Sequence, residues 1–295
     1  MEQTMKSTRR TQWKRLLLLV LSCLVPALAI AHPGSGIVVD RRGQTYFVDM
    51  VSGVWKLDAR GALTHVRGQA FHWMTLDATD HFAAAHLPSG ADGDVVRIGR
   101  TPTLLLASDF PIAIGRDGNL YFPSHHAGTP LQIQKMTPAG QTSVLAVLPF
   151  SKARPPVLDL KGLAAGPDGS LYYTEDNAIR RVSKEGRVTT VAENFRCTSN
   201  ALPLLRGLDV DARGTIYVAA TGCRSVLKVT PAGVVTPFFA IPDSWSPTGV
   251  AVSGNNVYAL EFQNADSDDR REMLPRVRKI AQDGKSVIIA NVTRH

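Results

Sequence analysis

The sequence predicts an all-β chain, a six-bladed β-propeller of four-stranded antiparallel blades. Three observations predict it: one strand grammar occurs six times, glycine-bearing turns recur at matching offsets within the copies, and the repeat length falls in the propeller range. Each copy runs from an apolar strand through a turn rich in Asp, Arg and Gly to a second strand opened by an aromatic. A polar loop and an apolar-x-basic-apolar strand follow.

The third strand fixes the register. It reads Val54-Trp55-Lys56-Leu57, Val95-Val96-Arg97-Ile98, Ile133-Gln134-Lys135-Met136, Ile179-Arg180-Arg181-Val182, Val226-Leu227-Lys228-Val229 and Val277-Arg278-Lys279-Ile280. A basic residue occupies the same slot every time. The aromatic that opens the second strand is Tyr46, Phe82, Tyr121, Tyr172, Tyr217 and Tyr258, and stepping back from it reaches Gly36, His72, Pro111, Gly162, Gly207 and Gly249, where first strands begin.

Turn chemistry agrees. Arg116-Asp117-Gly118-Asn119, Pro167-Asp168-Gly169-Ser170 and Ala212-Arg213-Gly214-Thr215 supply glycine between first and second strands, where positive φ is needed. Thr137-Pro138-Ala139-Gly140, Ser183-Lys184-Glu185-Gly186, Thr230-Pro231-Ala232-Gly233 and Ala281-Gln282-Asp283-Gly284 do so between third and fourth. Fourth strands such as Val188 to Ala192 and Val287 to Val292 alternate or run apolar. One such blade cannot bury its faces alone, so six are expected to pack about an axis, with strands ordered from innermost to outermost. The ring closes either by packing of the first blade on the sixth or by a short strand exchange.

The N-terminus reads as an export signal. Residues 1–31 carry a basic start (Lys6, Arg9, Arg10, Lys14, Arg15), an apolar run from Leu16 to Ala31 and the small-residue triplet Ala29-Ile30-Ala31, which predicts cleavage before His32. The apolar run is shorter than a membrane-spanning helix requires and contains Pro26. Arg9-Arg10 resembles a twin-arginine signal with Gln12 in place of the expected apolar residue, so the export route stays open. Residues 32–295 are then the propeller, in the periplasm or secreted. Removing residues 1–31 lowers the formal net charge from +8 to +4. With no cluster of Lys and Arg among interleaved aromatics, this argues against nucleic-acid binding. Cys197 and Cys223 remain, expected as one disulfide in an oxidising compartment, with two free thiols as the rival.

Gly207-Leu208-Asp209-Val210-Asp211-Ala212-Arg213-Gly214-Thr215-Ile216-Tyr217-Val218-Ala219 and the run Gly162 to Asp176 resemble NHL repeats. The resemblance covers the chain after residue 31. It implies a group of propellers that includes gluconolactonases, strictosidine-synthase-like proteins, streptogramin-type lyases, amidating lyases and protein-binding scaffolds.

In a propeller the connections from fourth to first strand and from second to third strand surround the mouth of the axial channel. The register puts Asp49, Glu175, Glu261, Asp176, His86 and His125 there, with His72, Lys161 and Arg206 nearer the axis. Asp49, Glu175 and Glu261 suit a divalent cation such as Ca or Zn, or alternatively turn amides and the basic side chains of strands. His125 beside His126, with His86 from the neighbouring blade, suits zinc, copper or general-base work, or an ordinary polar loop. Arg206 and Lys161 suit a carboxylate or lactone oxygen. The insertions at 150–160 and 263–275 lie on the same side.

Two functions follow. One is a binding module for a small molecule, glycan or protein at the mouth, with the chain a monomer. The other is a metal-dependent, lactonase-like hydrolase or a lyase, in which Glu175, Glu261, His125 and Arg206 are the catalytic candidates and His72, Lys161, Arg206 and His86 hold the ligand. The resemblance fits the lactonases imperfectly, because Pro111, Gly162 and Gly207 stand where their central Asn pairs are expected.

Overall fold

The computed structural model describes residues 33–89, 93–99, 104–125, 129–149, 160–198, 200–242, 244–264, 269 and 271–294. The expected export segment, His126, nearly all of the insertion at 150–160 and part of that at 263–275 lie outside these residues.

Pro33–His295 forms one compact unit. Blade one is β1 (Ile37–Val39), β2 (Thr45–Asp49), β3 (Gly53–Leu57) and β4 (Leu63–Arg67). Blade two is β5 (Trp73–Asp77), β6 (Val95–Ile98) and β7 (Leu104–Ser108), and blade three is β8 (Ala113–Ile114), β9 (Leu120–Ser124), β10 (Gln132–Met136) and β11 (Thr142–Val147). Blade four comprises β12 (Gly162–Ala165), β13 (Leu171–Glu175), β14 (Ala178–Val182) and β15 (Val188–Glu193). Blade five comprises β16 (Leu205–Val210), β17 (Ile216–Ala220), β18 (Ser225–Val229) and β19 (Val235–Ala240). Blade six comprises β20 (Trp245–Ser253), β21 (Asn256–Gln263), β22 (Pro275–Ala281) and β23 (Ser286–Asn291). Apart from one 3-10 turn at Thr221–Cys223, every described element is a strand.

Five blades are four-stranded antiparallel sheets in sequence order. Their first strands pack in a ring, β1 against β5, then β8, β12, β16, β20 and back to β1. Among the described residues each sheet holds only consecutive strands, and the ring closes by packing of blade one on blade six.

The repeated basic slot has a geometric reason. In the five regular blades it lies directly across the ladder from the opening tyrosine: Tyr46 faces Lys56, Tyr121 faces Lys135, Tyr172 faces Arg181, Tyr217 faces Lys228 and Tyr258 faces Lys279. In blades one and six the cation lies against its ring partner, with Lys56 Nζ 5.9 Å and Lys279 Nζ 6.0 Å from the tyrosine centroids; in blades three and four it pairs with an aspartate, Lys135 with Asp117 and Arg181 with Asp168. One residue earlier, each third-to-fourth pairing shifts register by a bulge, between Val54 and Trp55 and at the same place in the other four regular blades. Bulges sharpen right-handed twist, which a blade needs to fit its wedge.

Blade two departs from the expected pattern. Phe82 does not open a second strand: it lies in a turn, and β7 takes the middle position between β5 and β6. The spacing placed an aromatic correctly in the seam, where Phe82 is fully buried, but the run Ala83-Ala84-Ala85 brings no β-branched residue to build a ladder. Arg97 supplies bonds that a ladder would have supplied, Nε donating to the Phe82 carbonyl at 2.7 Å and Nη2 to that of Ala85. Asp77, also fully buried, accepts from the Phe82 amide at 2.7 Å.

The core is divided among the seams. Separate apolar clusters fill the contacts of blades two with three, three with four, four with five and five with six, and the largest gathers residues of blades one, two and six.

Candidate functional site

At the mouth the first strands nearly touch. A Cβ on Gly36 would sit 2.9 Å from the Met74 amide, one on Gly162 2.6 Å from the Arg206 carbonyl and one on Gly207 2.8 Å from Gly249 Cα. One on Gly249 would run into the Ser35 carbonyl. Gly36 stands just before β1, Gly162 opens β12, and Gly207 and Gly249 lie within β16 and β20; at each the neighbouring backbone leaves no room for a side chain.

Hydroxyls brace the same level. Thr174 Oγ1 donates to the Arg206 carbonyl at 2.7 Å, Thr221 Oγ1 to that of Pro247 at 2.7 Å and Thr248 Oγ1 to that of Gly34 at 2.7 Å. The segment entering blade one is held as well, the Ser35 and Gly36 amides each donating to the His72 carbonyl at 2.8 Å.

Arg206 stands in this ring. Its Nη1 donates to the Pro33 carbonyl at 3.2 Å, across blade six. Among the described residues no carboxylate lies within ion-pair distance, and burial lowers the pKa of the guanidinium, partly offset by the charge of Asp176. His72 comes from the neighbourhood of β5, with Nδ1 3.2 Å from Asp109 Oδ1. Lys161 precedes β12, its amide donating to the Thr174 carbonyl at 2.8 Å. His125 is half-buried at the end of β9, and His86 is exposed on the irregular part of blade two.

The three predicted acids sit at the mouth-side ends of β2, β13 and β21, each with partners of its own. Asp49 is fully buried and accepts from the Val51 and Ser52 amides at 3.3 and 3.2 Å, from the Ser52 hydroxyl and from Arg294 Nη2. Arg294 also donates to the Arg271 carbonyl at 2.5 Å, so the C-terminal segment is fastened from blade six onto blade one. Glu175 accepts from Arg180 Nη2 at 3.2 Å and Nε at 3.3 Å. Glu261, fully buried, accepts from Arg276 Nε and Arg278 Nε, both at 2.6 Å. Arg276 stacks 3.7 Å from the Trp245 ring centroid, and Arg278 lies 5.3 Å from that of Phe239. Among the described residues no group of three or more His, Cys, Asp or Glu side chains could hold a metal ion.

Cys197 and Cys223 form the expected disulfide. It ties the loop entering β16 to the turn after β17, and so fixes the approach to Arg206.

Two of the concavities among the described residues lie away from the mouth. One, of about 520 Å³, opens between blades four and five beside Pro167, Tyr172, Arg181 and Arg213, where Arg181 is occupied by Asp168 at 2.7 Å. The other is the axial cavity, of about 210 Å³, lined by the first strands. It contains Asp209, which sequence reasoning passed over. The signal was present: blades four and six read Gly162-Leu163-Ala164 and Gly249-Val250-Ala251, whereas blade five reads Gly207-Leu208-Asp209.

Solved structures share this architecture. A calcium-binding protein, regucalcin, from Agrobacterium tumefaciens superposes with a TM-score of 0.57 at 17% identity, covering 81% of this chain and 86% of that one. A gluconolactonase from Xanthomonas campestris gives 0.55 at 15% identity, covering 78% and 83%. The virginiamycin B lyase of Staphylococcus aureus, solved as a catalytically inactive form with quinupristin, gives 0.52 at 14% identity, covering 88% and 95%. The fold is that of these lactonase and lyase propellers. No protein-family model and no curated protein matches the chain. At such identities the likeness concerns the fold, and the side chains of this chain decide the rest. No helix among the described residues is long and apolar enough to cross a membrane.

Proposed function

We propose that this chain is an exported propeller that binds an anionic small molecule, or an acidic group of a glycan, at the channel mouth, with Arg206 as the anchor. One observation carries the reading. Arg206 is half-buried with a neutral carbonyl as its hydrogen-bond partner, and among the described residues no carboxylate forms an ion pair with it, the charge of Asp176 acting on it only from farther off. A guanidinium so placed gains strongly from a carboxylate, sulfate or phosphate oxygen, with which it forms paired charge-assisted bonds. Lys161 and His72, on blades four and two, flank the same opening. The disulfide and the close-set glycines hold the ring still, which limits the entropy lost on binding.

The test is calorimetric titration of the purified protein with uronic acids and their neutral sugar counterparts. Binding of the acids alone, lost in Arg206→Gln with stability kept, supports the reading. Equal binding of neutral and acidic sugars, or full affinity in Arg206→Gln, overturns it.

The second reading is a divalent-metal-dependent hydrolase or a lyase at the same mouth, favoured by the enzymes that share the fold. The acids required for a shared cation already have partners: Arg294 and turn amides for Asp49, Arg180 for Glu175, and Arg276 with Arg278 for Glu261. Turnover of a lactone panel in the presence of Ca or Zn, abolished in Glu175→Gln, would restore it.

A further inference from the structure

The base of the ring, opposite the mouth, carries the turns between first and second strands and between third and fourth. Two neighbouring seams there can be compared position by position. In the seam of blades five and six, Tyr217 is 1% exposed, because two side chains close over it. Phe238 meets its ring edge-on with centroids 5.0 Å apart, and Gln282 reaches across from blade six, its Nε2 donating to the Tyr217 hydroxyl at 3.0 Å. Phe238 is the extra residue of the blade-five bulge, and Gln282 is the second residue of the blade-six turn Ala281-Gln282-Asp283-Gly284.

The seam of blades four and five has the same parts with different side chains. The extra residue of its bulge is Val191, and the second residue of its turn is Pro231. Valine is too small to cover a tyrosine ring as phenylalanine does, and proline has no group to reach a hydroxyl. What remains over Tyr172 is the concavity of about 520 Å³, within the size range of small-molecule pockets. Its outer wall is fixed, since the blade-five turn is set so close to blade four that a Cβ on Gly233 would lie 2.4 Å from the Val191 carbonyl oxygen.

The slot has an apolar floor and a charged rim. Tyr172, Val191, Ile216 and Pro231 supply the floor, and Asp168, Arg181 and Arg213 the rim. Arg181 is committed within its own blade, paired with Asp168 at 2.7 Å while its Nε donates to Ser170 Oγ at 3.0 Å. Arg213 is exposed, and its guanidinium has no partner among the described residues. The rim therefore carries one positive charge in excess, beside a recess that the next seam fills with an aromatic ring.

We propose that this slot binds a small aromatic acid, its ring taking the place over Tyr172 that Phe238 takes over Tyr217, and its carboxylate meeting Arg213. Packing against a tyrosine ring favours a flat aromatic over an aliphatic chain. The guanidinium favours the anion over a neutral analogue of the same shape. The slot shares no residue with the mouth, so its occupancy is independent of Arg206.

The test is calorimetric titration of the purified protein with 2-naphthoate, its neutral counterpart 2-naphthol, and acetate. Saturable binding of naphthoate, weaker binding of naphthol and none of acetate are expected. Arg213→Gln, a change at an exposed side chain, should weaken naphthoate roughly fivefold and leave naphthol unchanged. The double variant Val191→Phe with Pro231→Gln, which copies the neighbouring seam, should lose both ligands while melting no lower than the wild type, and Arg206→Gln should keep both. No saturable binding of naphthoate by the wild-type protein at millimolar concentration overturns the proposal, as does full affinity in the double variant or in Arg213→Gln. Binding lost in Arg206→Gln but kept in Arg213→Gln would move the acid to the mouth and equally overturn it.

Discussion

Glu261 and Asp209 are acids of one ring, the first fully buried and the second half-buried, and their surroundings differ in kind. Glu261, at the mouth-side end of β21, is held by two guanidiniums at 2.6 Å, and those arginines are backed by Trp245 and Phe239. Asp209, inside the channel, has two backbone amides and no cation. The first arrangement is self-contained and leaves nothing for a ligand. The second is incomplete at neutral pH, and the same holds with opposite sign for Arg206. Unbalanced charge, rather than the mere presence of charged residues at a channel, therefore separates the candidate sites of this propeller from its fastenings.

The contrast can be tested by removing each side in turn. Glu261→Ala leaves the buried Arg278 and the half-buried Arg276 without their shared carboxylate and should cost about 3–5 kcal/mol in denaturant unfolding; a loss below about 1 kcal/mol would show that water already screens the cluster. Reducing the disulfide, whose cysteines are 26 residues apart, should cost about 3.5 kcal/mol on the chain-entropy model, read from melting with and without reductant.

Asp209→Asn should act in the other direction. Its carboxyl has a folded pKa of about 6 against a model value of 3.8, so its contribution favours folding below about pH 4 and is lost as pH rises through 6. Replacing it removes a penalty on the order of 3 kcal/mol at pH 8 and forfeits one amide bond of about 1 kcal/mol. A net gain of about 1–2 kcal/mol at pH 8 is expected, vanishing at pH 4. Pairs of unfolding curves at the two pH values check it, and a pH-independent effect would place the carboxylate in bulk water. The smallest change belongs to Arg206→Gln, which should shift stability by less than about 1 kcal/mol while removing affinity for acidic ligands.

The regular blades were legible because their signals reinforce one another. A tyrosine, a basic residue directly across the ladder from it and a turn glycine recur at fixed distances, and each reflects a contact within one sheet. Phe82 matched the spacing in blade two yet fills the seam without a strand, since spacing reports where an aromatic is needed and not whether the intervening residues favour a ladder. The acids Asp49, Glu175 and Glu261 were legible as equivalent positions, whereas their partners were less so. Arg180 and Arg276 answer from third strands, and Arg294 answers Asp49 from 245 residues away. Asp209 stood in plain view as the carboxylate in a slot where blades four and six carry alanine. Its meaning depended on knowing that the slot faces an enclosed axis.

Because each sheet draws its strands from one continuous stretch of chain, nearly all pairing here joins near neighbours in sequence. The loop-closure entropy of the toroid is thereby concentrated in one long-range meeting, that of β1 with β20 and of Arg294 with Asp49. The linkage between Cys197 and Cys223 requires only the fifth unit and its entry loop, so oxidation can run ahead of that meeting and hand over a partly stapled arc for the final closure.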